Sequence, residues 1–396
     1  MQLIESIKTF LKQRPHVYRV VTFLKARKIT NIYRTIVSAY GAPLTPNSKE
    51  VSSSFRYAQG KIDPIAIQIE HREQRIFYLG TDEHQDNSGL LQSLSRFGDV
   101  KYFTKHDGSY GQYGRKDNNW KERNKQRMME IFKKNAVNKW IPDILLMQTW
   151  EWRIGKETLE WIKLNYPECK IVNIGWDDRH AYWENGNAES GTAALSPYLD
   201  LALTSTPEAV QWFQQEGVDA LFWPEASCPE FFYPINCTKK YQVGFVGASY
   251  GIRKEIVSAL KAAGIEVKAF GNGWPSGRLP LEETNTFFNE CQIVLGCGTI
   301  KQCRDFFALK LRDFDAPMSG SVYVTHHNED LADLFKIDLE IITCKSVDEF
   351  IYKIRDLLSN PVRCENIRIR ARKRAIDEHT FDQRFALMLH HLNSGV

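Results

Sequence analysis

The sequence has no Cys-x-x-Cys pair among its eight cysteines, which excludes the common zinc-ribbon and thioredoxin-type spacings. No apolar run reaches the roughly 18 residues needed to cross a bilayer. An early apolar stretch with a small-residue cleavage site is also missing, so a reducing cytoplasm is the expected location. Charge of one sign is scarce: the net charge is only +4. Much of it sits at the start, where Lys8, Lys12, Arg14, Arg19, Lys25, Arg27, Lys28 and Arg34 face the single acid Glu5. The near-neutral remainder argues against a general nucleic-acid binder. His-Glu-x-x-His is absent, as are the Walker A Gly-Lys-Ser/Thr and the Gly-x-Gly-x-x-Gly dinucleotide fingerprint, which removes the common zincin and nucleotide-loop signatures.

What is present is a length of 396 residues, enough for two cores. From about Gln74, short apolar runs alternate with helix-length amphipathic stretches, the pattern of parallel sheets covered by helices. Strands are expected at Ile76–Leu79, Val100–Phe103, Ile144–Met147, Ile171–Ile174, Leu201–Thr204 and Leu221–Trp223. A proline-bearing stretch from Pro224 to Pro234 follows. The pattern then restarts, with strands expected at Val243–Val246, Val267–Phe270, Ile293–Leu295, Val322–Thr325 and Ile341–Thr343. The expected fold class is α/β, with two Rossmann-like doubly wound domains facing a cleft at the carboxyl ends of their strands. The expected divisions are a basic helical extension over 1–72, a first domain over 73–238, a second over 239–378, and a closing helix over 379–396 that returns to the first domain. In the opening segment Leu3, Ile4, Ile7, Phe10 and Leu11 recur at helical spacing between lysines. Such a helix packs against the body or lies on an anionic membrane surface, and the first reading is preferred. The segment from Lys105 to Asn119 is too long and glycine-rich for an ordinary connection, and is read as a mobile acceptor loop or a disordered excursion.

Charged and glycine-rich loops recur at the strand ends. Lys310 and Arg312 can neutralise a diphosphate, Asp315 can accept hydrogen bonds from ribose hydroxyls, and Ser319-Gly320 lets backbone approach a ligand. The alternative is a charged helix turn before a buried strand. The loop bearing Gly247, Ser249 and Arg253 suits a phosphate, or is simply a tight strand-to-helix turn. Gly273, within Phe270-Gly271-Asn272-Gly273-Trp274, can bring backbone and an aromatic face to a base, or serve only as a turn. In the first domain Asp177, Asp178 and His180 end a strand, where an acid or imidazole can orient an acceptor hydroxyl or take its proton; helix capping is the alternative. His84 is read as a surface residue. His326-His327 is read as facing solvent or ligand, and no metal site is expected.

The run KLRDFDAPMSGSVYVTHHNEDLADLF, the segment Val347–Leu358 and the closing HTFDQRF resemble the spore-maturation-protein-like glycosyltransferases, of the wider group 1 and GT-B glycosyltransferases. The first domain agrees more loosely through IVNIGWDDRHAYW and WPEASCPEFFYP. The resemblance implies a nucleotide-sugar donor held mainly by the second domain and a glycan, lipid-linked or other acceptor held mainly by the first. It implies no metal and no cofactor beyond that substrate, and a role in surface-polysaccharide assembly at the cytoplasmic face of the membrane. Asp315 occupies the position of a ribose-binding glutamate in many such enzymes. Retaining members often carry a second acid eight residues earlier, where this chain has Phe307. A nucleotide-sugar epimerase of the same shape and a non-catalytic glycan- or protein-binding module are the rival readings.

Overall fold

Runs of four to six aliphatic and aromatic residues are too short for helices and apolar on both faces, which suits strands covered on both sides. In the computed structural model, which describes residues 15–41 and 48–394, every such run is a parallel strand. The helix expected over Leu3 to Leu11 lies outside the described residues. The first sheet contains β1 (Arg75–Leu79), β2 (Asp99–Tyr102), β3 (Ile144–Met147), β4 (Lys170–Gly175), β5 (Leu201–Thr204) and β6 (Ala220–Phe222) in the order β2-β1-β3-β4-β5-β6. The second contains β7 (Tyr241–Val246), β8 (Val267–Phe270), β9 (Cys291–Leu295), β10 (Val322–His326) and β11 (Ile342–Cys344) in the order β11-β10-β9-β7-β8. Both orders reverse direction within the sheet, and that switch point is where open α/β sheets bind ligands.

The chain crosses from the first sheet to the second after β6 and returns through the Phe381–Ser394 helix. Phe381, Phe385 and Met388 of that helix are buried in the first core, with Ile76, Leu146 and Trp223. At the crossing, the Ser227 amide donates to the His379 carbonyl at 3.0 Å and the Phe381 amide to the Ser227 carbonyl at 3.1 Å. Buried Arg384 donates from Nε to the Pro224 carbonyl at 3.0 Å, and its own carbonyl accepts from Trp223 Nε1 at 2.9 Å. Burial pushes this guanidinium down to about 9. Outgoing and returning strands of chain are thus stitched together beside the cleft.

The early helices pack against this frame. Ile36, on the Pro15–Ala39 helix, is buried among Tyr182, Trp212 and Phe213. On the Ser48–Gln59 helix, Phe55 meets Phe222 edge-on with ring centroids 5.5 Å apart. The Pro64–His71 helix starts with Asp63 as its cap, accepting from the Ile65 amide at 3.0 Å.

The segment from Lys105 to Asn119 is not a disordered excursion. Gln112 is buried and donates from Nε2 to the carbonyls of Gly80 and Gln148, each at 3.1 Å. The Tyr110 hydroxyl donates to Asp86 Oδ2 at 2.7 Å, and the Tyr113 amide donates to Asn124 Oδ1 at 2.8 Å. Side-chain hydrogen bonds supply here the order that no periodic apolar pattern announced.

Candidate functional site

The carboxyl ends of both sheets meet at a cavity of about 510 Å³. From the first domain it is lined by His84, Trp176, Asp177 and Glu225; from the second by Gly247, Arg253, Lys310, Arg312 and Asp315. The arginine and lysine side chains lining it, Arg253, Lys310 and Arg312, come from the second domain, while both domains contribute acids, Asp177 and Glu225 from the first and Asp315 from the second.

Arg312 opens the Arg312–Met318 helix, and its Nε donates to the Val246 carbonyl at 2.8 Å. That bond aims the guanidinium across the end of β7. Its Nη1 is buried without a hydrogen-bond partner, as is Nε of the neighbouring Arg253. Arg253 is held by the carbonyls of Ala248 at 3.0 Å and Cys297 at 2.9 Å, and lies over the Tyr250 ring at 3.9 Å. Burial pushes the Arg312 pKa down; Tyr323 opposes this and the like charge of Arg253 adds to it. Two guanidinium groups with buried donors to spare have the chemistry to hold an anion, because an unmet buried charged donor is costly. Gly247 is required here: its φ is +150°, and a Cβ would lie 2.8 Å from Arg312 Nη2.

Lys310 reaches across the cleft, with Nζ 3.5 Å from Asp177 Oδ1. Burial alone would raise the Asp177 carboxyl, but the Lys310 ammonium, then His180 and Lys301, outweigh it and hold Asp177 below its ordinary range. The same pairing raises Lys310 against its own burial. Both groups are charged at neutral pH.

Two of the first-domain candidates do not line the cavity. Asp178 is fully buried beneath Gly175, accepts from Thr192 Oγ1 at 2.7 Å, and is pushed by burial to about 6. It ties the turn after β4 to Thr192 and caps no helix: the short Asp178–Ala181 helix begins at Asp178, and the cap residue Asp177 makes no side-chain capping bond. His180 turns away from the cavity, its Nδ1 4.0 Å from Asp177 Oδ1. Burial lowers its pKa to about 4, so it stays neutral.

Four donor-side candidates also stand elsewhere. Ser249 and Gly273 pack on one another, a Cβ at 273 falling 2.2 Å from Ser249 Oγ, and neither lines the cavity. Ser319 and Gly320 follow the Arg312–Met318 helix, whose seven residues carry them about 10 Å from Arg312 at 1.5 Å per residue. There Ser319 Oγ donates to the Ala316 carbonyl at 2.8 Å, and Gly320 abuts Pro234. Asp315 does line the cavity, but burial raises its pKa well above the usual range, and one of its oxygens already accepts from Ser227 Oγ at 2.7 Å. A carboxyl so engaged, with burial favouring its protonated form, has less to offer two ribose hydroxyls than the free carboxylate that the sequence suggested.

His84 was read as a surface residue and instead lines the cavity; burial, then Arg278, lower its pKa. The sequence reading missed Glu225. It lies in Trp223-Pro224-Glu225 at the end of the first sheet, 3% exposed, with Oε2 unpartnered. Burial raises its pKa to about 8 against the opposing charge of Lys310. Its proximity to Pro224, just past a strand end, was the available signal. Phe307, where a retaining enzyme would carry its first acid, packs at a tilt against His326 with ring centroids 5.4 Å apart. Its carbonyl accepts from Arg179 Nη1 at 2.9 Å.

Neutral Glu225 leads to a prediction. A diphosphate bound beside it repels the ionised carboxylate, so nucleoside diphosphate affinity should fall as pH rises above about 8. Glu225→Gln, which cannot ionise, should hold its affinity through that range. Parallel alkaline falls in both proteins, read by titration calorimetry, would remove Glu225 from the site.

Residues 253–390 match the family model described as glycosyl transferase-like. No curated protein matches. Solved structures similar to the chain include the sucrose-phosphate synthase of Thermosynechococcus elongatus, with 11% identity and a TM-score of 0.56 over 82% of this chain and 99% of that one. A glycosyltransferase from Rickettsia africae aligns with 10% identity and a TM-score of 0.54 over 81% and 98%. HepE of Anabaena, solved in complex with UDP-glucose, aligns with 10% identity and a TM-score of 0.57 over 82% and 100%. At these identities the likeness establishes the fold, and the two facing Rossmann-like domains have the GT-B architecture.

Proposed function

We propose that the protein is a GT-B glycosyltransferase that moves a sugar from a nucleotide-sugar donor to a glycan, lipid-linked or other glycoconjugate acceptor. The observation that carries this reading is the pair of buried, unpartnered guanidinium donors of Arg312 and Arg253 in the interdomain cavity. A diphosphate fits them in charge and in acceptor count. The glycosyl transferase-like match of the second domain supports the same assignment, and the bound UDP-glucose of HepE is the model for the donor class. The sequence runs around Lys310 and His379 support a place in the spore-maturation-protein-like subgroup, and with it surface-polysaccharide assembly from the cytoplasmic face.

In this reading Lys310, Arg312 and Arg253 bind the diphosphate and stabilise the charge that develops on it as the glycosidic bond to the donor breaks. Asp177, ionised and half-exposed at the opposite wall, holds the acceptor hydroxyl. Glu225, neutral at pH 7, presents a hydrogen-bonding group without opposing the diphosphate charge, and burial biases Asp315 the same way. Domain closure keeps out water, the competing acceptor.

Incubation with a panel of nucleotide sugars, with and without oligosaccharide and lipid-linked acceptors, tests the assignment. Acceptor-dependent release of nucleoside diphosphate is expected. Epimerised donor with no acceptor present would replace transfer with epimerisation. Arg312→Ala should weaken nucleoside diphosphate binding by about 1.5–3 kcal/mol, roughly 10- to 150-fold. Unchanged affinity in a variant with a wild-type circular dichroism spectrum would take Arg312 out of the donor site.

A further inference from the structure

We propose that the outer face of the Pro15–Ala39 helix is a docking surface for an anionic lipid bilayer, an inference that does not depend on the sugar-transfer reading. Packing against the body explains only the inner face of this helix. There Ile36 is buried, and Tyr33 donates to Glu208 Oε1 at 2.9 Å. A helix that merely packs would turn polar residues outward. Here Val20, Phe23 and Leu24, spaced to share one stripe, are 57%, 63% and 56% exposed.

Cations surround and extend that stripe. Lys25, Arg27, Lys28 and Arg34 are exposed, and no aspartate or glutamate occurs between Pro15 and Ala39. Arg27 and Lys28 continue the line of Phe23 and Leu24 by one helical turn. Beside them a groove of about 470 Å³, between the helix and the turn at Gly186, is lined by Leu24, Arg27, Lys28, Asn31 and Thr35. A lipid phosphate suits its cationic and polar side, and an acyl chain suits Leu24. Exposed apolar residues followed along one face by basic ones are what a helix lying in a headgroup layer needs. Among the described residues no helix is long and apolar enough to cross a membrane, so the contact is with the surface.

The docked face would be fixed relative to the cleft, because the same helix touches both domains. Tyr33 binds Glu208 of the first and meets Phe306 of the second at a tilt, with ring centroids 4.9 Å apart. The Ala26 carbonyl accepts from Cys303 Sγ at 3.9 Å.

Sedimentation of the full chain with vesicles of pure phosphatidylcholine, or of phosphatidylcholine with added phosphatidylglycerol, tests the proposal. Binding is expected only to the anionic vesicles and should weaken with salt. The double variants Phe23→Ser with Leu24→Ser, and Arg27→Glu with Lys28→Glu, should each lower partitioning about tenfold or more, with the melting temperature unchanged. Absence of binding, or binding unaltered in the Phe23/Leu24 variant, would overturn it. So would sedimentation equilibrium showing a wild-type dimer that this variant splits, because the stripe would then be covered by a second copy.

Discussion

Asp177→Asn is expected to lower turnover by about 10²- to 10⁴-fold, the scale of a lost proton acceptor, while nucleoside diphosphate affinity changes by no more than about threefold. In the free protein Asp177 is a weak base, because Lys310 Nζ lies 3.5 Å away and holds it in its charged form. A bound diphosphate would draw on the same ammonium. The field at Asp177 would then weaken, and burial, which favours its protonated form, would raise its basicity. Donor binding would thereby prepare the acceptor side. Single-turnover measurements with saturating donor separate the two effects. If donor affinity collapses together with turnover, Asp177 belongs to the donor site and the division between domains is wrong.

Arg179→Met is expected to reduce stability by about 3–5 kcal/mol, the usual cost of removing one member of a buried ionic cluster. Arg179 donates from Nε and Nη2 to Glu208 at 2.7 and 2.6 Å and from Nη1 to Asp330 at 2.6 Å. These acids belong to different domains, so the guanidinium is a clamp between them. Burial alone would raise Glu208, but its bidentate pairing with Arg179 outweighs burial and holds it below the ordinary range. Asp330 shares a single N–H, and its burial prevails, raising it. A carboxylate held low contributes stability that is present above its unfolded value and lost as pH falls through its folded one. The wild type should therefore lose this contribution in acid, and the variant should not. Urea unfolding of both proteins at neutral and acid pH checks the cost and its sign. A cost below about 1 kcal/mol, the level of an exposed pair, would show that the clamp does not hold the domains together.

Most strands were legible because they are apolar runs buried on both faces, such as Ile144–Met147 and Leu201–Thr204, as parallel sheets require; the edge strand Asp99–Tyr102 is largely exposed. The helices of the first 71 residues were less so; their ends rest on capping and on tertiary burial such as Phe55 against Phe222. Arg253, Lys310, Arg312 and Asp177 line the cavity as their places at strand ends suggested, because the carboxyl ends of both sheets face it. Ser319 and Gly320 were misplaced because proximity in sequence to Arg312 was taken for proximity in space, and the intervening helix carries them to its far end. Asp178 differed from Asp177 only in orientation, which the sequence does not encode locally. Glu225 went unnoticed for the opposite reason. One glutamate in a linker is ordinary until the fold buries its carboxyl in the cavity, with an unmet oxygen.

The central claim is that the interdomain cavity is a nucleotide-sugar site held by the second domain. Titration calorimetry of the full chain with a panel of nucleoside diphosphates addresses it most directly. The account predicts one-to-one binding of at least one of them, weakened in Arg312→Ala and little changed in Asp177→Asn. No binding by any member of the panel, or binding indifferent to Arg312, would contradict it.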